Sequence, residues 1–520
     1  MTLPCTGMRV WVAVACLWWN AFAPGIAATP APLARTASGP VEGMQQNGVA
    51  VFKGVPYAAA PIGALRWRAP QPAPQWQGVR HAIAFGNACI QKPGLSLENG
   101  GDAGPMSEDC LYLNVWTPRV ESGARLPVMV WLHGGALIFG AGGLPLYDGA
   151  ALAARGTVVV TINYRLGPLG FFVHPALERS DPGGPANFGL LDQIAALKWV
   201  QQHIGAFGGD AGNVTLFGQS AGAQSVLVLM ASPAARGLFH RAVAQSPYGI
   251  PSHTRNAARA TGVRVADALG LPGARASLAQ LRAMPAEAFS QLDAKPLSLA
   301  PSFIVGDVAV PMPILAAFQQ GRQAALPLII GNNSDETSVA LAFGIQPEEL
   351  VKRIGAARIL LRSLYPGGID DAELGRQVVR DAVFTAYVRR IAYLHADKAP
   401  TWRYYFSHVP EQARTRQPGV AHGGEVPAVF GTGDLCNCLA TPLTDRDRDQ
   451  WARVTERWAG FARTGEPAAT GGLIWPKDGR LKATVIEFGE EEQVQPAFMR
   501  DRLNAFIGVL NVLGLAASGK

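Results

Sequence analysis

The stretch Val214-Thr215-Leu216-Phe217-Gly218-Gln219-Ser220-Ala221-Gly222 constrains this chain more than any other. An apolar run rich in strand formers enters Gly218, and Ala223 to Met230 continues beyond Gly222 with the composition of a helix. A strand can turn directly into a helix only where the two backbones pass close together, so both flanks of the turn must lack side-chain bulk. Gly218 and Gly222 meet that requirement and leave Ser220 at the apex, its hydroxyl clear of the sheet. Gly-x-Ser-x-Gly alone is common by chance and is compatible with an ordinary turn serine. With a strand before it and a helix after it, the pattern marks a nucleophile.

Such a strand needs neighbours. Val128 to Leu132, Val158 to Ile162, Ala242 to Ala244 and Leu328 to Ile330 are short apolar runs bounded by turn residues, as expected of parallel strands buried on both faces. Helical patterns separate them. Leu190 to Val200 carries an apolar stripe with Gly205 soon after it, and the Ala- and Arg-rich segment Ala257 to Gln291 predicts helices inserted between strands. This alternation predicts an α/β protein with a mostly parallel central sheet and helices on both faces. A length of 520 residues would accommodate several domains, but no interior linker, repeat or low-complexity tract divides the chain. The apolar tail from Phe506 to Ala517 predicts a terminal helix packed on the core.

The N-terminus reads as an export signal. Arg9 precedes the apolar run Val10 to Trp19, and Ala23 to Ala28 offers small residues for cleavage, so residues 1–28 are expected to be removed and 29–520 retained. Asn20 and Pro24 interrupt the run short of the ~20 apolar residues of a spanning helix, so no stable membrane span is expected. An uncleaved anchor and a lipoprotein at Cys16 are the alternatives. Export to the periplasm or the medium permits disulfides. Beyond the signal lie Cys89, Cys110, Cys436 and Cys438. Cys89 and Cys110 enclose a Gly-rich stretch and make the natural pair; for Cys436 and Cys438, mutual pairing, free thiols and intermolecular bridges are all open. No Cys-x-x-Cys or clustered histidine suggests a metal, and no cofactor is expected. The formal charge of +7 is spread over interleaved bases and acids, as in Arg446-Asp447-Arg448-Asp449, so nucleic acid is not an expected partner.

A serine nucleophile needs donors for the oxyanion it creates. His133-Gly134-Gly135-Ala136 follows the run ending at Leu132 and supplies backbone with almost no side-chain bulk, able to aim N–H groups at one point. A plain glycine turn is the alternative there.

Taken together with Phe52-Lys53-Gly54-Val55-Pro56-Tyr57-Ala58, Ser107-Glu108-Asp109-Cys110-Leu111-Tyr112-Leu113-Asn114-Val115-Trp116, Asn163-Tyr164-Arg165-Leu166-Gly167-Pro168, Asn187-Phe188-Gly189-Leu190-Leu191-Asp192-Gln193 and Phe207-Gly208-Gly209-Asp210, these motifs closely resemble the type-B carboxylesterases. That family includes the bacterial para-nitrobenzyl esterases and, more distantly, the cholinesterases. The resemblance runs from about Gly43 to the Trp475-Pro476 region. It implies the α/β-hydrolase fold as one large domain with insertions. The implied activity is a serine carboxylesterase working through an acyl-enzyme on small to medium, mostly apolar esters.

The resemblance also places the partners of Ser220. Ile330-Gly331-Asn332-Asn333-Ser334-Asp335-Glu336 looks like the acid segment, with Glu336 in the triad position and Asp335 as its rival. Val420-Ala421-His422-Gly423-Gly424-Glu425 looks like the histidine loop, making His422 the base in the order serine, acid, histidine. The family's oxyanion donors map onto the N–H groups of Gly135, Ala136 and Ala221. Ser225 matches a serine that supports the acid, an ordinary helix serine being the alternative. Cys89 and Cys110 fall where the family closes its first disulfide loop.

Two departures narrow the substrate. Cholinesterases carry a Trp ten residues before the second cysteine of that loop, where this chain has Gly100, and a Glu before the nucleophile, where it has Gln219. Without these cation-holding elements a choline ester is not expected. Leu137, Ile138, Phe139 and Phe303 predict an apolar acyl or alcohol pocket, and the small Gly134-Gly135-Ala136 triplet predicts room for a tertiary alcohol. A non-catalytic adhesion or binding protein on the same scaffold is one rival reading, although such relatives lose the nucleophile. A hydrolase specialised for one natural toxin, polymer or phenolic ester is the other.

Overall fold

The short apolar runs are strands, and each is apolar at successive positions because both of its faces are covered. The computed structural model describes residue 1 and residues 30–94, 100–250, 252–292, 301–342, 346–354, 358–365, 367–436, 438–439, 441–479 and 482–518. Apart from residue 1, the segment read as an export signal lies outside the described residues. Residues 32–520 form one compact unit.

Its centre is an eleven-stranded sheet. The strands are β1 (Met44–Gln46), β2 (Val49–Pro56), β3 (Tyr112–Thr117), β4 (Leu126–Leu132), β5 (Val158–Ile162), β6 (Gly209–Gln219), β7 (Arg241–Gln245), β8 (Leu328–Asn333), β9 (Thr401–Phe406), β10 (Val485–Phe488) and β11 (Glu492–Gln495). Their spatial order is β1-β2-β3-β5-β4-β6-β7-β8-β9-β10-β11. The run from β5 to β10 is parallel throughout, and the antiparallel pairings lie at the two edges. Val130 stands opposite Val160 and Leu216, and Ala244 opposite Gly218 and Ile330.

The helices that matter for the site are α1 (Phe188–His203), α2 (Ala221–Ala231), α3 (Arg255–Ala268), α4 (Leu278–Ala283), α5 (Ala286–Ser290), α6 (Asp445–Thr464) and α7 (Arg500–Ser518). Strand periodicity sends alternate side chains to opposite faces. Val128, Val130 and Leu132 join Ile194, Leu197 and Val226 of α1 and α2 in one core. Met129 and Trp131 join Trp451, Trp458 and Phe461 of α6 in the other. Helices therefore cover both faces, as the alternation of patterns predicts.

The predicted helix Leu190 to Val200 is the middle of α1. Its chain continues through a 3-10 turn, Ile204–Phe207, and stops at Gly208 rather than Gly205. Gly208 holds φ +83°, and a Cβ there would sit 2.2 Å from the carbonyl oxygen of Arg119, so no other residue fits. The Ala- and Arg-rich insert forms α3, α4 and α5, with Ser277 and Gln280 closing a capping box on α4. The C-terminal apolar tail lies in α7, which buries Leu503. Cys89 is bonded to Cys110, and Cys436 to Cys438, which closes the alternatives left for the second pair. Among the described residues no helix is long and apolar enough to cross a membrane.

Candidate active site

Strands β4, β6, β7 and β8 bring their C-terminal ends together, in the crevice where open α/β sheets hold ligands. At the end of β6, Ser220 holds φ +56° and ψ −121°, a conformation that costs a residue bearing a Cβ of order 1–3 kcal/mol. The surroundings impose it. The Ser220 N–H donates to the carbonyl of Gln245 at the end of β7, at 2.8 Å, and its own carbonyl accepts from the Gln224 N–H at 2.9 Å. A Cβ at Gly222 would lie 2.0 Å from the Leu132 carbonyl oxygen, and one at Gly218 would lie 2.7 Å from the Gly222 carbonyl. Both glycines are therefore required by the close approach of strand and helix.

On one side of Ser220 lies the loop that follows β4. Gly135 holds φ +100°, Ala136 φ +51° and Leu137 φ +63°, so the chain coils tightly beside Ser220. A Cβ on Gly134 would lie 3.2 Å from the Cβ of Ser220. Among the described residues, the N–H groups of Gly135 and Ala136 donate to no backbone acceptor. The N–H of Ala221, the first residue of α2, has no partner within its helix either, as at any helix N-terminus. Buried N–H groups without partners are rare in folded proteins. Here the Ala221 N–H is buried and those of Gly135 and Ala136 are half-buried, and beside the buried Ser220 hydroxyl all three can serve an oxyanion. The loop is tied down from outside. The Gln91 carboxamide both donates to the Gly140 carbonyl and accepts from the Gly140 N–H, each at 2.9 Å, next to the Cys89–Cys110 bond. His133 stacks on Tyr164 at 4.3 Å with its Nδ1 2.8 Å from the Gly134 carbonyl oxygen, and burial pushes its pKa down to about 4, so it stays a neutral strut.

On the other side lie the loops that carry Glu336 and His422. Asn333, Ser334, Asp335 and Ser338 hold the histidine loop: Asn333 Nδ2 donates to the Ala421 carbonyl at 2.8 Å, the Val420 N–H to Ser334 Oγ at 2.8 Å, the Asp335 N–H to the Val420 carbonyl at 2.9 Å, and the His422 N–H to Ser338 Oγ at 2.9 Å. Glu336 is fully buried, and its Oε2 lies 2.5 Å from Nδ1 of His422. Burial disfavours the charged imidazole, but the carboxylates of Glu336 and Glu425 outweigh it and hold the His422 pKa above the ordinary histidine value. The rival acid Asp335 is turned away, its carboxylate bonded to the Thr337 hydroxyl.

Sequence reasoning missed the groups behind Glu336. Ser246, the residue after β7, donates its hydroxyl to Glu336 Oε1 at 2.7 Å, and the Asn333 N–H donates to the same oxygen at 2.7 Å. Ser225 does not do this. It is fully buried on α2 and accepts from Gln193 Nε2 at 3.1 Å, so the serine bonded to Glu336 is Ser246. The signal for Ser246 was available: it follows the run Ala242 to Ala244, just as Ser220 follows Val214 to Phe217. Glu425 was missed as well. It is fully buried, accepts from Gln245 Nε2 at 3.1 Å and Asn333 Nδ2 at 2.5 Å, and burial followed by the nearby Glu336 charge pushes its pKa up.

The apolar pocket residues divide. Ile138 and Phe139 are half-buried beside the oxyanion loop. Leu137 and Phe303 are buried in the main core, Phe303 edge-on to Phe171, and so line that region from behind. At Gly100 a Cβ would lie 3.0 Å from Leu146 Cδ2, so an aromatic side chain has no room there without rearrangement. Among the described residues, no group of three His, Cys, Asp or Glu side chains could hold a metal ion.

Comparison with known proteins agrees with this geometry. The family model described as the carboxylesterase family matches residues 30–360 and 372–506. The chain is 36% identical over 464 residues to the para-nitrobenzyl esterase of Bacillus subtilis (strain 168), covering 85% of this chain and 91% of that one. It is 35% identical over 483 residues to the fumonisin B1 esterase of Sphingopyxis macrogoltabida, covering 89% of this chain and 87% of that one. Among solved structures, a thermophilic PNB esterase superposes with a TM-score of 0.80 at 32% identity, covering 92% of this chain and all of the other.

Proposed function

The chain belongs to the carboxylesterase family, and we propose that Ser220, His422 and Glu336 are the triad with which it hydrolyses carboxylic esters. Ser220 Oγ attacks the ester carbonyl carbon as its proton passes to Nε2 of His422. The negative charge that develops on the carbonyl oxygen is received by the N–H groups of Gly135, Ala136 and Ala221. The tetrahedral intermediate collapses, the C–O bond to the alcohol breaks, and His422 returns the proton to the departing oxygen. Water then attacks the acyl-enzyme with His422 again as base, releasing the acid and restoring Ser220. Glu336 keeps the proton on Nδ1 and stabilises the imidazolium, and Ser246 and the Asn333 N–H hold Glu336. The observation that carries this reading is the buried Glu336 carboxylate 2.5 Å from His422 Nδ1.

The substrates are small to medium apolar esters without a cationic alcohol. The triplet Gly134-Gly135-Ala136 carries so little bulk that a tertiary alcohol fits without displacing the carbonyl carbon from Ser220. Identity to a fumonisin B1 esterase favours a narrower second reading, a single natural ester as main substrate. A panel of esters graded in acyl and alcohol size, including tert-butyl acetate and fumonisin B1 and run against a Ser220→Ala background, tests both. Slow but real turnover of tert-butyl acetate is expected. Ready hydrolysis of ethyl acetate, with tert-butyl acetate no faster than background, would refute the reading of the triplet. We further propose that residues 29–520 are the exported catalytic domain, a reading supported by the two disulfide pairs.

A further inference from the structure

Nε2 of His422 carries the lone pair that must receive the Ser220 proton, yet the group bonded to it is Gln219. Glu336 holds the proton on Nδ1, so the neutral ring presents a lone pair at Nε2, and of the two polar atoms of Gln219 only the amide nitrogen can donate to it. That nitrogen lies 3.2 Å from Nε2, and among the described residues Ser220 forms no hydrogen bond to the ring. The carboxamide lies between the two halves of the site. A Cβ on Gly134 would lie 2.7 Å from Gln219 Oε1, and one on Gly423 would lie 3.5 Å from Nε2. Gln219 is itself buried, and its backbone is fixed as the last residue of β6.

We infer that Gln219 is a positioning residue that parks His422 in the resting enzyme, donating to Nε2 until substrate and Ser220 displace it. The donation favours the neutral, base-competent ring. The charged groups facing His422 are Glu336 and Glu425, and both favour the imidazolium. Two further neighbours among the described residues are neutral, the Phe384 ring at 5.2 Å and the Ser338 hydroxyl that accepts from the His422 backbone N–H. Gln219 therefore acts together with burial against the two carboxylates.

The inference rests on the triad reading, so its test separates the two. The pH dependence of kcat/KM on a small ester is measured for wild type, Gln219→Met and Gln219→Ala, with His422→Ala as control. Loss of the amide donor should move the acid limb of both variants to higher pH by about 0.5–1 unit, the equivalent of one neutral hydrogen bond. Gln219→Glu should move it further in the same direction. An acid limb at or below the wild-type position in whichever of the Met and Ala variants folds overturns the parking role, even with His422→Ala inactive. A His422→Ala enzyme of near wild-type activity overturns the triad, and this inference with it.

Discussion

On one side of Ser220 the site is made of backbone: Gly135, Ala136, Leu137 and Gly140 hold positive φ, and the groups on offer are N–H donors. On the other it is made of side chains: Glu336 and His422 ride on loops joined by hydrogen bonds from Asn333, Ser334 and Ser338. The first half depends on what is absent, since a methyl group at Gly134 or Gly135 has nowhere to go. The second depends on each partner being present. Mutation should therefore damage them in different ways, all-or-none where a proton is carried and graded where an oxyanion is shared among donors.

The largest effect is expected on the side-chain half. His422→Ala and Glu336→Gln should each lower kcat by about 10⁴-fold or more with the fold intact, because one removes the base and the other fails to hold its tautomer. Steady-state kinetics alongside circular dichroism measures this, and loss of under tenfold in either would break the contrast. Next comes Gly135→Ala. Its Cβ would sit 2.1 Å from the Phe139 carbonyl oxygen, so the loop must shift and one N–H must leave its aim. A loss of about 10²–10³-fold, largely in kcat, is expected.

How far this contrast could be read in advance follows from the physics of each half. Backbone demands leave local marks. Gly218, Gly222 and the Gly134-Gly135 pair announce a tight approach within a few residues, and the apolar runs announce buried strands, so the sheet and the close-packed loop after β4 were legible. The acid–base half is assembled from segments far apart in the chain, and no periodicity links Glu336 to His422. Only the family resemblance joined them. It could not show that Ser246, not Ser225, holds the acid, because that depends on β7 lying between β6 and β8. Glu425 was hidden for the same reason, its partners Gln245 and Asn333 coming from two other strands.

Smaller effects sharpen the comparison. Ser246→Ala removes one of the two donors on Glu336 Oε1 and should cost about tenfold in kcat, the equivalent of roughly 1.4 kcal/mol, while Ser225→Ala should leave kcat nearly unchanged. Equal losses in the two would place the support elsewhere. The pH profile gives the smallest and most specific signal. Only neutral His422 accepts the serine proton, and Glu336 and Glu425 hold its pKa above the ordinary value. Activity should accordingly fall as pH drops through that raised pKa, with the acid limb of kcat/KM lying above the ordinary histidine value. Glu425→Gln, by removing one of the two carboxylates, should move that limb to lower pH.

The claim beneath all of this is that Ser220 is the nucleophile, and covalent labelling tests it most directly. An organophosphate reacts with an activated serine and stays attached, so mass spectrometry of the inactivated enzyme identifies the residue that attacked. The account predicts one adduct, on the peptide containing Ser220, appearing in step with loss of activity and absent from Ser220→Ala. Full inactivation with the adduct on another residue, or undiminished labelling and turnover in Ser220→Ala, would contradict it.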